Sequence, residues 1–236
     1  MTPSQKKPFK QPPRKHHPKG LRILYEDHDI VVVDKSNGLL TVSTDDASDN
    51  TAYFLLTNYV RRGNSKSRNR VFIVHRLDRD TSGVLVFAKS PQAKQYLQDN
   101  WATFTKKYFA VVTGTMPNDE GLLESHLAEN SALRVYSVRD QKAGKLAKTT
   151  YKVIKARRGL SLLDVGLLTG RKHQIRVQLA DAGCPIVGDR KYGEAVYGSK
   201  KMALHSASMA ITHPHTHEPL EFSTGIPKRF EAMLKH

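Results

Sequence analysis

Val71-Phe72-Ile73-Val74-His75-Arg76-Leu77-Asp78-Arg79-Asp80-Thr81-Ser82-Gly83-Val84-Leu85-Val86-Phe87-Ala88 encloses a charged nonapeptide, residues 75–83, between two apolar runs. The flanking runs, 71–74 and 84–88, are rich in β-branched residues and too short for helices, so both read as buried strands. The nonapeptide is then a loop held at both ends by a rigid frame, the kind of position where chemistry concentrates. Asp78 stands between Arg76 and Arg79. Cationic neighbours favour an ionised carboxylate, the form that a nucleophile or general base needs. Asp80, Thr81 and Ser82 are short polar residues that bond to nearby backbone, and Gly83 permits a dihedral that other residues avoid, so these four shape the turn. The alternative for a charged loop is a solvated surface turn.

Working outward, Ile23-Leu24-Tyr25 and Ile30-Val31-Val32-Val33 read as strands around an Asp27-His28-Asp29 turn. Residues 50–60 read as a helix with Asn50 or Thr51 at its cap. The basic segment 61–70 (RRGNSKSRNR) is a surface loop, either solvated or in contact with phosphates. Ser90-Pro91 opens a helix, with a capping hydroxyl and a proline in the first turn, expected to run to about Phe104. Residues 108–168 read as short strands and turns, and residues 170–182 as a helix stopped by Gly183. No internal repeat or clear linker divides the chain after residue 20. The expected class is α+β, with a large, mainly antiparallel sheet in a single domain over residues 21–236.

Composition narrows the partner. The chain has 236 residues, enough for a substantial core, and a formal net charge of +16. Such a charge points to a polyanion, either nucleic acid or an anionic membrane surface. No apolar run approaches the roughly 18 residues that span a bilayer, and the start carries no signal-peptide pattern. A single cysteine, Cys184, excludes an internal disulfide and fits a reducing compartment. A cytoplasmic RNA-binding protein, monomeric and without a protein partner, is the expectation. Residues 1–20 hold Lys6, Lys7, Lys10, Arg14, Lys15 and Lys19, several prolines and no acid. This segment reads as a disordered basic arm, either a phosphate-contacting tail or an inert leader.

The nonapeptide closely resembles the catalytic motif of the RluA-type pseudouridine synthases, which isomerise uridine within RNA. Further segments agree in order and approximate spacing over residues 20–230. Asp34-Lys35-Ser36-Asn37-Gly38-Leu39-Leu40 is similar to the family's Asp-Lys-Pro-x-Gly-Leu segment, and Lys107-Tyr108-Phe109-Ala110-Val111-Val112-Thr113-Gly114 to its Tyr-x-Ala-x-Val-x-Gly strand. Thr169-Gly170-Arg171-Lys172-His173-Gln174-Ile175-Arg176 resembles its third active-site motif. Ile186-Val187-Gly188-Asp189-Arg190-Lys191-Tyr192-Gly193, Leu204-His205-Ser206-Ala207 and His213-Pro214 complete the series. The resemblance implies a mixed sheet with flanking helices and loops around a central RNA-binding cleft. It also implies a minimal form without the small RNA-binding domain that many members carry ahead of the catalytic one.

Converting uridine to pseudouridine breaks the ribose C1′–N1 bond, turns the uracil and joins C1′ to C5. Nothing is oxidised or hydrolysed, so the reaction calls for neither cofactor nor metal. The target base must first leave its stack. A carboxylate near C1′ is the central tool, as in glycosidases, and the resemblance assigns that role to Asp78, whether by attack on the sugar or by removal of a ribose proton. It makes Arg176 the ion-pair partner of Asp78, with His173 on the same helix face. It makes Tyr108 the aromatic that stacks on the flipped uracil, and Arg76 the cation that enters the RNA where the base leaves. Arg171, Lys172 and His173 are further RNA contacts by the same resemblance. The expected substrate is ribosomal or transfer RNA.

Two other readings stand beside this one. Asp78 and Asp80 could be a carboxylate pair of a metal-dependent nuclease, although acids are scarce near the other motifs. A non-enzymatic RNA-binding or assembly factor could use the same basic surface, but residues at 78, 108 and 176 match those of the active family. His213-Pro214-His215-Thr216-His217 would align three imidazoles if it were a strand; the matching family segment is a strand and turn without metal. Two positions depart from the family pattern. Ser36-Asn37 replaces its Pro-x pair, and Gln178 stands where histidine is usual, so altered packing or substrate contacts are expected there.

Overall fold

The structure, a computed structural model, describes residues 12–43, 50–64, 66–193, 199 and 201–235. Its strands are β1 (Leu21–Glu26), β2 (Ile30–Lys35), β3 (Phe72–Ile73), β4 (Ser82–Ala88), β5 (Thr105–Thr113), β6 (Glu120–Glu129), β7 (Val135–Val138), β8 (Lys145–Arg157), β9 (Leu160–Leu167), β10 (Leu204–Thr212) and β11 (Pro219–Ser223). The helices are α1 (Ala52–Arg61), α2 (Pro91–Asp99), α3 (Gln174–Asp181) and α4 (Lys228–Met233). All the strands join one sheet in the order β1-β2-β4-β10-β5-β9-β8-β6-β7, with β11 added to β10 and β3 to β4. Every named strand pair is antiparallel except β4 with β10. The mixed, mainly antiparallel α+β architecture expected from the sequence is the one observed.

The parallel pairing of β4 with β10 positions the loop. β2 runs along one edge of β4 from Ile30↔Ala88 to Lys35↔Gly83. The other edge is shared: β3 pairs with its C-terminal end and β10 with its start, through His205↔Ser82 and Ser206↔Gly83. Residues 74–81 therefore cross a gap in the ladder between β3 and β10. Side chains take the vacant ladder positions, as buried backbone groups require. His75 Nε2 accepts the Val86 N–H at 3.0 Å, and the Ser206 hydroxyl donates to the Val84 carbonyl at 3.1 Å.

The continuous apolar runs in β2 and β4 follow from burial on both faces. Val31, Val33, Leu85 and Phe87 enter one core with α1, while Ile30, Val32, Val84 and Val86 enter a second with α2; all eight are 0% exposed. α3 covers a third, smaller cluster of Leu127, Val135, Ala147 and Val177. Of the two candidates it is Thr51 that caps α1, by accepting the Phe54 N–H, and Ser90 caps α2 by accepting that of Ala93, as the sequence predicts.

Three local expectations are corrected. α2 ends at Asp99 rather than near Phe104, because the Asn100 side chain donates back to the Tyr96 carbonyl and the chain turns. Between residues 108 and 168 the strands are long, thirteen residues in β8, since sheet partners on both sides sustain them. α3 starts at Gln174 rather than Gly170: His173 is left-handed (φ 55°), and the Gln174 Oε1 accepts the Arg171 N–H, closing a separate turn. Residues 213–217 form the turn from β10 to β11, in keeping with the strand and turn of the matching family segment. His213 Nδ1 accepts the N–H groups of His215 and Thr216, so the three imidazoles are not aligned on one face.

Residues 1–11 of the expected basic arm lie outside the described residues. The remainder, up to residue 20, is held against β1. Arg14–His16 form a 3-10 turn, His17 Nδ1 accepts the Ile23 N–H at 3.3 Å, and Gly20 accepts the Ser36 N–H at 2.8 Å. A histidine that caps an edge-strand donor offsets part of the ordering entropy that the composition alone leaves unmatched.

Candidate active site

One row across the sheet sets the floor of the site. Lys35 pairs with Gly83, Gly83 with Ser206, Ser206 with Tyr108, Tyr108 with Val165, and Val165 with Tyr151. Cross-strand neighbours share a face, so Lys35 and Tyr108 lie on either side of the Gly83–Ser206 pair. A β-carbon on Gly83 would lie 2.1 Å from the Ser206 carbonyl oxygen, and φ is +111°. Glycine is required at this position on both counts.

Above this row, the loop is fastened through its backbone. Lys35 is 0% exposed and donates to the carbonyls of Ser36 (3.1 Å), Leu39 (2.7 Å) and Arg79 (3.1 Å). Burial pushes its ammonium down to about 8, while the charges of Asp78, Asp80 and Asp34 act in the opposite direction. Asn37 donates to the Asp80 carbonyl, Thr41 bridges the Leu77 backbone, and Thr81 N–H closes a turn onto the Asp78 carbonyl at 3.1 Å. Asp80 thus serves the turn through its backbone, and the residue is exposed. The Ser36-Asn37 departure is a packing feature: both residues make bonds that tie down the segment around the loop.

Asp78 emerges from this scaffold with its side chain 27% exposed. Arg176, in the first turn of α3, places Nη1 2.7 Å from Asp78 Oδ2. The Nε and Nη2 edge of the same guanidinium grips Asp189, at 2.7 and 2.9 Å. Burial opposes the charge on Arg176, but the two carboxylates outweigh it and keep the guanidinium cationic. Asp189 has its side chain 1% exposed, and Arg176 with the Lys191 and Tyr192 N–H groups holds its carboxyl below the usual range despite burial. His173 Nε2 lies 3.8 Å from Asp78 Oδ2, and its Nδ1 lies 2.7 Å from the Tyr192 hydroxyl. Tyr108 is buried; burial first, and then the charge of Asp78, push its hydroxyl up to about 12 against a hydrogen bond with Ser206.

Asp78, Arg176, His173 and Tyr108 are therefore gathered at one place, from three segments far apart in sequence. Arg76 sits two residues before Asp78 in the loop, exposed, with no hydrogen-bond or ion-pair partner among the described residues. Arg171 and Lys172 are exposed on the rim, where Arg171 donates to the Leu146 carbonyl at 3.0 Å and Lys172 pairs with Glu129. Sequence reasoning assigned no role to Lys35, Asp189 or Tyr192. Lys35 was detectable by parity: Val31, Val33 and Lys35 share one face of β2, so a lysine falls on the buried side.

Gln178, the other departure, locks α3 to the sheet. Its Nε2 donates to the Leu123 and Ala147 carbonyls and to Ser125, and its Oε1 accepts from Thr149 at 2.6 Å. A cluster of Asp27, Asp29 and His213 has metal-like ligand types. Its imidazole cannot serve as a ligand as placed: Nδ1 accepts backbone N–H groups, so Nε2 carries the proton and donates it to Asp27 at 2.7 Å. Asp27 also accepts the N–H groups of Asp29 and Ile30, so the cluster is a turn lock between β1 and β2.

A family model described as RNA pseudouridylate synthase matches residues 29–181, which contain Asp78, Tyr108 and Arg176. An uncharacterized RNA pseudouridine synthase, YlyB of Bacillus subtilis (strain 168), is 32% identical over 223 residues, covering 93% of this chain and 73% of the relative. The ribosomal large subunit pseudouridine synthase D of Nitrosomonas europaea is 33% identical over 226 residues, covering 91% of this chain and 64% of its own. Among solved structures, human RNA pseudouridylate synthase domain containing 4 superposes with a TM-score of 0.73 at 23% identity, over 89% of this chain and 90% of that one.

Proposed function

Since the chain belongs to the RNA pseudouridylate synthase family, and is an isomerase acting on RNA, we propose that Asp78 is the carboxylate that acts at the ribose of a flipped uridine. Arg176 holds Asp78 in place and balances its charge. Tyr108 receives the uracil face. Arg76 fills the space that the base leaves, and Arg171, Lys172 and His173 bind the RNA around it. No step calls for a metal or cofactor, because bond breakage and bond formation join the same two partners.

The single observation that supports Asp78 is its contact with Arg176 at 2.7 Å, in a setting that leaves the carboxylate part exposed. A buried cation that reaches one oxygen of a reachable carboxylate fixes its aim and leaves the other oxygen for a ligand. Tyr108, one strand beyond the loop's anchor, supplies a π face at the same level. The substrate we propose is large-subunit ribosomal RNA, in keeping with the name of the relative from Nitrosomonas europaea, a ribosomal large subunit enzyme.

The test combines chemistry and mapping. Asp78→Asn should bind RNA within a few-fold of the parent and lose turnover by a factor on the order of 10³ or more. Pseudouridine formation at the parent rate by this variant would falsify the assignment. Mapping pseudouridine in total RNA from cells with and without the protein should show a site missing from large-subunit ribosomal RNA. A loss confined to transfer RNA would replace the substrate, and no loss at all would favour a non-enzymatic role.

A further inference from the structure

We propose that the turn bearing Asp189 and Tyr192 is the positioning element of this active site: Asp189 restrains Arg176 so that a single N–H edge reaches Asp78, and Tyr192 holds His173 in the tautomer that turns Nε2–H toward the same carboxylate. The inference rests on the reading of Asp78 as the reacting carboxylate.

Arg176 offers three donor edges, and a free arginine samples many orientations. Here the Nε–Nη2 edge is bidentate on Asp189, and the guanidinium carbon lies 5.0 Å from the centre of the Tyr192 ring. One edge and one face are thereby occupied. Both Nη1 hydrogens and the second Nη2 hydrogen lie on the remaining side, and Nη1 is the nitrogen in contact with Asp78. Asp189 is itself fixed, because its Oδ1 also accepts the N–H groups of Lys191 (2.9 Å) and Tyr192 (3.2 Å).

The tautomer is assigned from the hydrogen bonds of Tyr192. The Tyr192 oxygen accepts the Val135 N–H at 3.1 Å, so its own hydrogen is available for His173 Nδ1 at 2.7 Å. A neutral imidazole that accepts at Nδ1 carries its proton on Nε2, and Nε2 is the atom 3.8 Å from Asp78. The turn hangs from the strand that carries Tyr108: Val187 N–H donates to the Val111 carbonyl and Ile186 bridges Val112. Asp78's two cationic or proton-bearing neighbours and its aromatic partner are thus registered to one piece of backbone.

The test uses the full chain, with RNA extracted from cells lacking the protein as substrate, single-turnover rates at saturating enzyme, and RNA binding measured separately. Asp189→Asn should slow the rate by roughly tenfold to a hundredfold, as expected for a displaced reacting group, with RNA affinity changed less than about threefold. Asp189→Glu should recover part of that loss. Imidazole ¹⁵N shifts should show Nδ1 of His173 unprotonated in the parent and a changed tautomer balance in Tyr192→Phe, which should also react more slowly. A parent rate in Asp189→Asn beside an inactive Asp78→Asn overturns this proposal and leaves the Asp78 reading intact. A parent rate in Asp78→Asn overturns both. If Asp189→Asn does not fold, a protonated Nδ1 in the parent, or an unchanged rate in Tyr192→Phe, overturns the proposal on its own.

Discussion

Gly83 and Ser36 are single residues whose backbone roles outweigh their side chains. At Gly83, a left-handed φ of +111° coincides with a close approach to the Ser206 backbone. Gly83→Ala should destabilise the fold by on the order of 3 kcal/mol, combining backbone strain with overpacking, as read by urea denaturation. A loss below about 1 kcal/mol would show that the loop can shift at little cost. Ser36 is a subtler case, since the family pattern has proline there. In this chain the Ser36 N–H donates to the Gly20 carbonyl at 2.8 Å and ties the end of β2 to the segment ahead of β1. Ser36→Pro should therefore cost about 1 kcal/mol rather than stabilise. An unchanged or raised melting temperature would mean that this bond contributes nothing. At Lys35 the sequence did hold a sign of burial in its strand parity, but the partners that make burial tolerable are carbonyls of residues 36, 39 and 79. The last of these is visible only in the fold.

At the level of elements, two histidines splice the ends of the loop that carries Asp78 into the sheet. His75 accepts the Val86 N–H and stacks on Trp101 at 4.3 Å. His205 Nδ1 accepts from Ser82, and its Nε2 donates to Thr224, whose hydroxyl is directed at the Ala207 carbonyl. Burial, reinforced by Lys106, pushes His75 down to about 3; burial, with Arg229 and Arg22 nearby, pushes His205 down to about 4. In the unfolded chain both return to about 6.5. As pH falls below that value the unfolded state binds protons that the folded state refuses, so stability decreases toward pH 4, by up to about 1.4 kcal/mol per pH unit for each group. Denaturation at pH 7, 6 and 5 should show the decline, and His75→Gln should remove about half of its slope. Equal stability at pH 7 and 5 would contradict the neutral state of both rings. The strands and capped helices that carry these residues were legible because period and caps are local signals. The start of α3 was not, because a left-handed residue at 173 is stabilised by the contacts of its side chain with Tyr192 and the site rather than by its neighbours in sequence.

For the whole molecule, the net charge of +16 acts at long range on a polyanion. RNA affinity should fall steeply with salt. Removing residues 1–11, which contain Lys6, Lys7 and Lys10, should reduce the slope of log K against log salt by roughly 0.7–0.9 for each phosphate that those residues neutralise. An unchanged slope would make them irrelevant to binding. Truncation past Pro12 is a different experiment, because residues 12–20 are bonded to β1 and β2 and their removal should also lower stability. The sequence by itself determined the family, the α+β class and the loop that carries Asp78, because motif order and hydrophobic period are properties of the chain. Only the tertiary structure decided how that loop is held. Arg176 finds Asp78 98 positions away and Asp189 13 positions away, and electrostatic partners are selected by distance in space, which spacing along a chain does not encode.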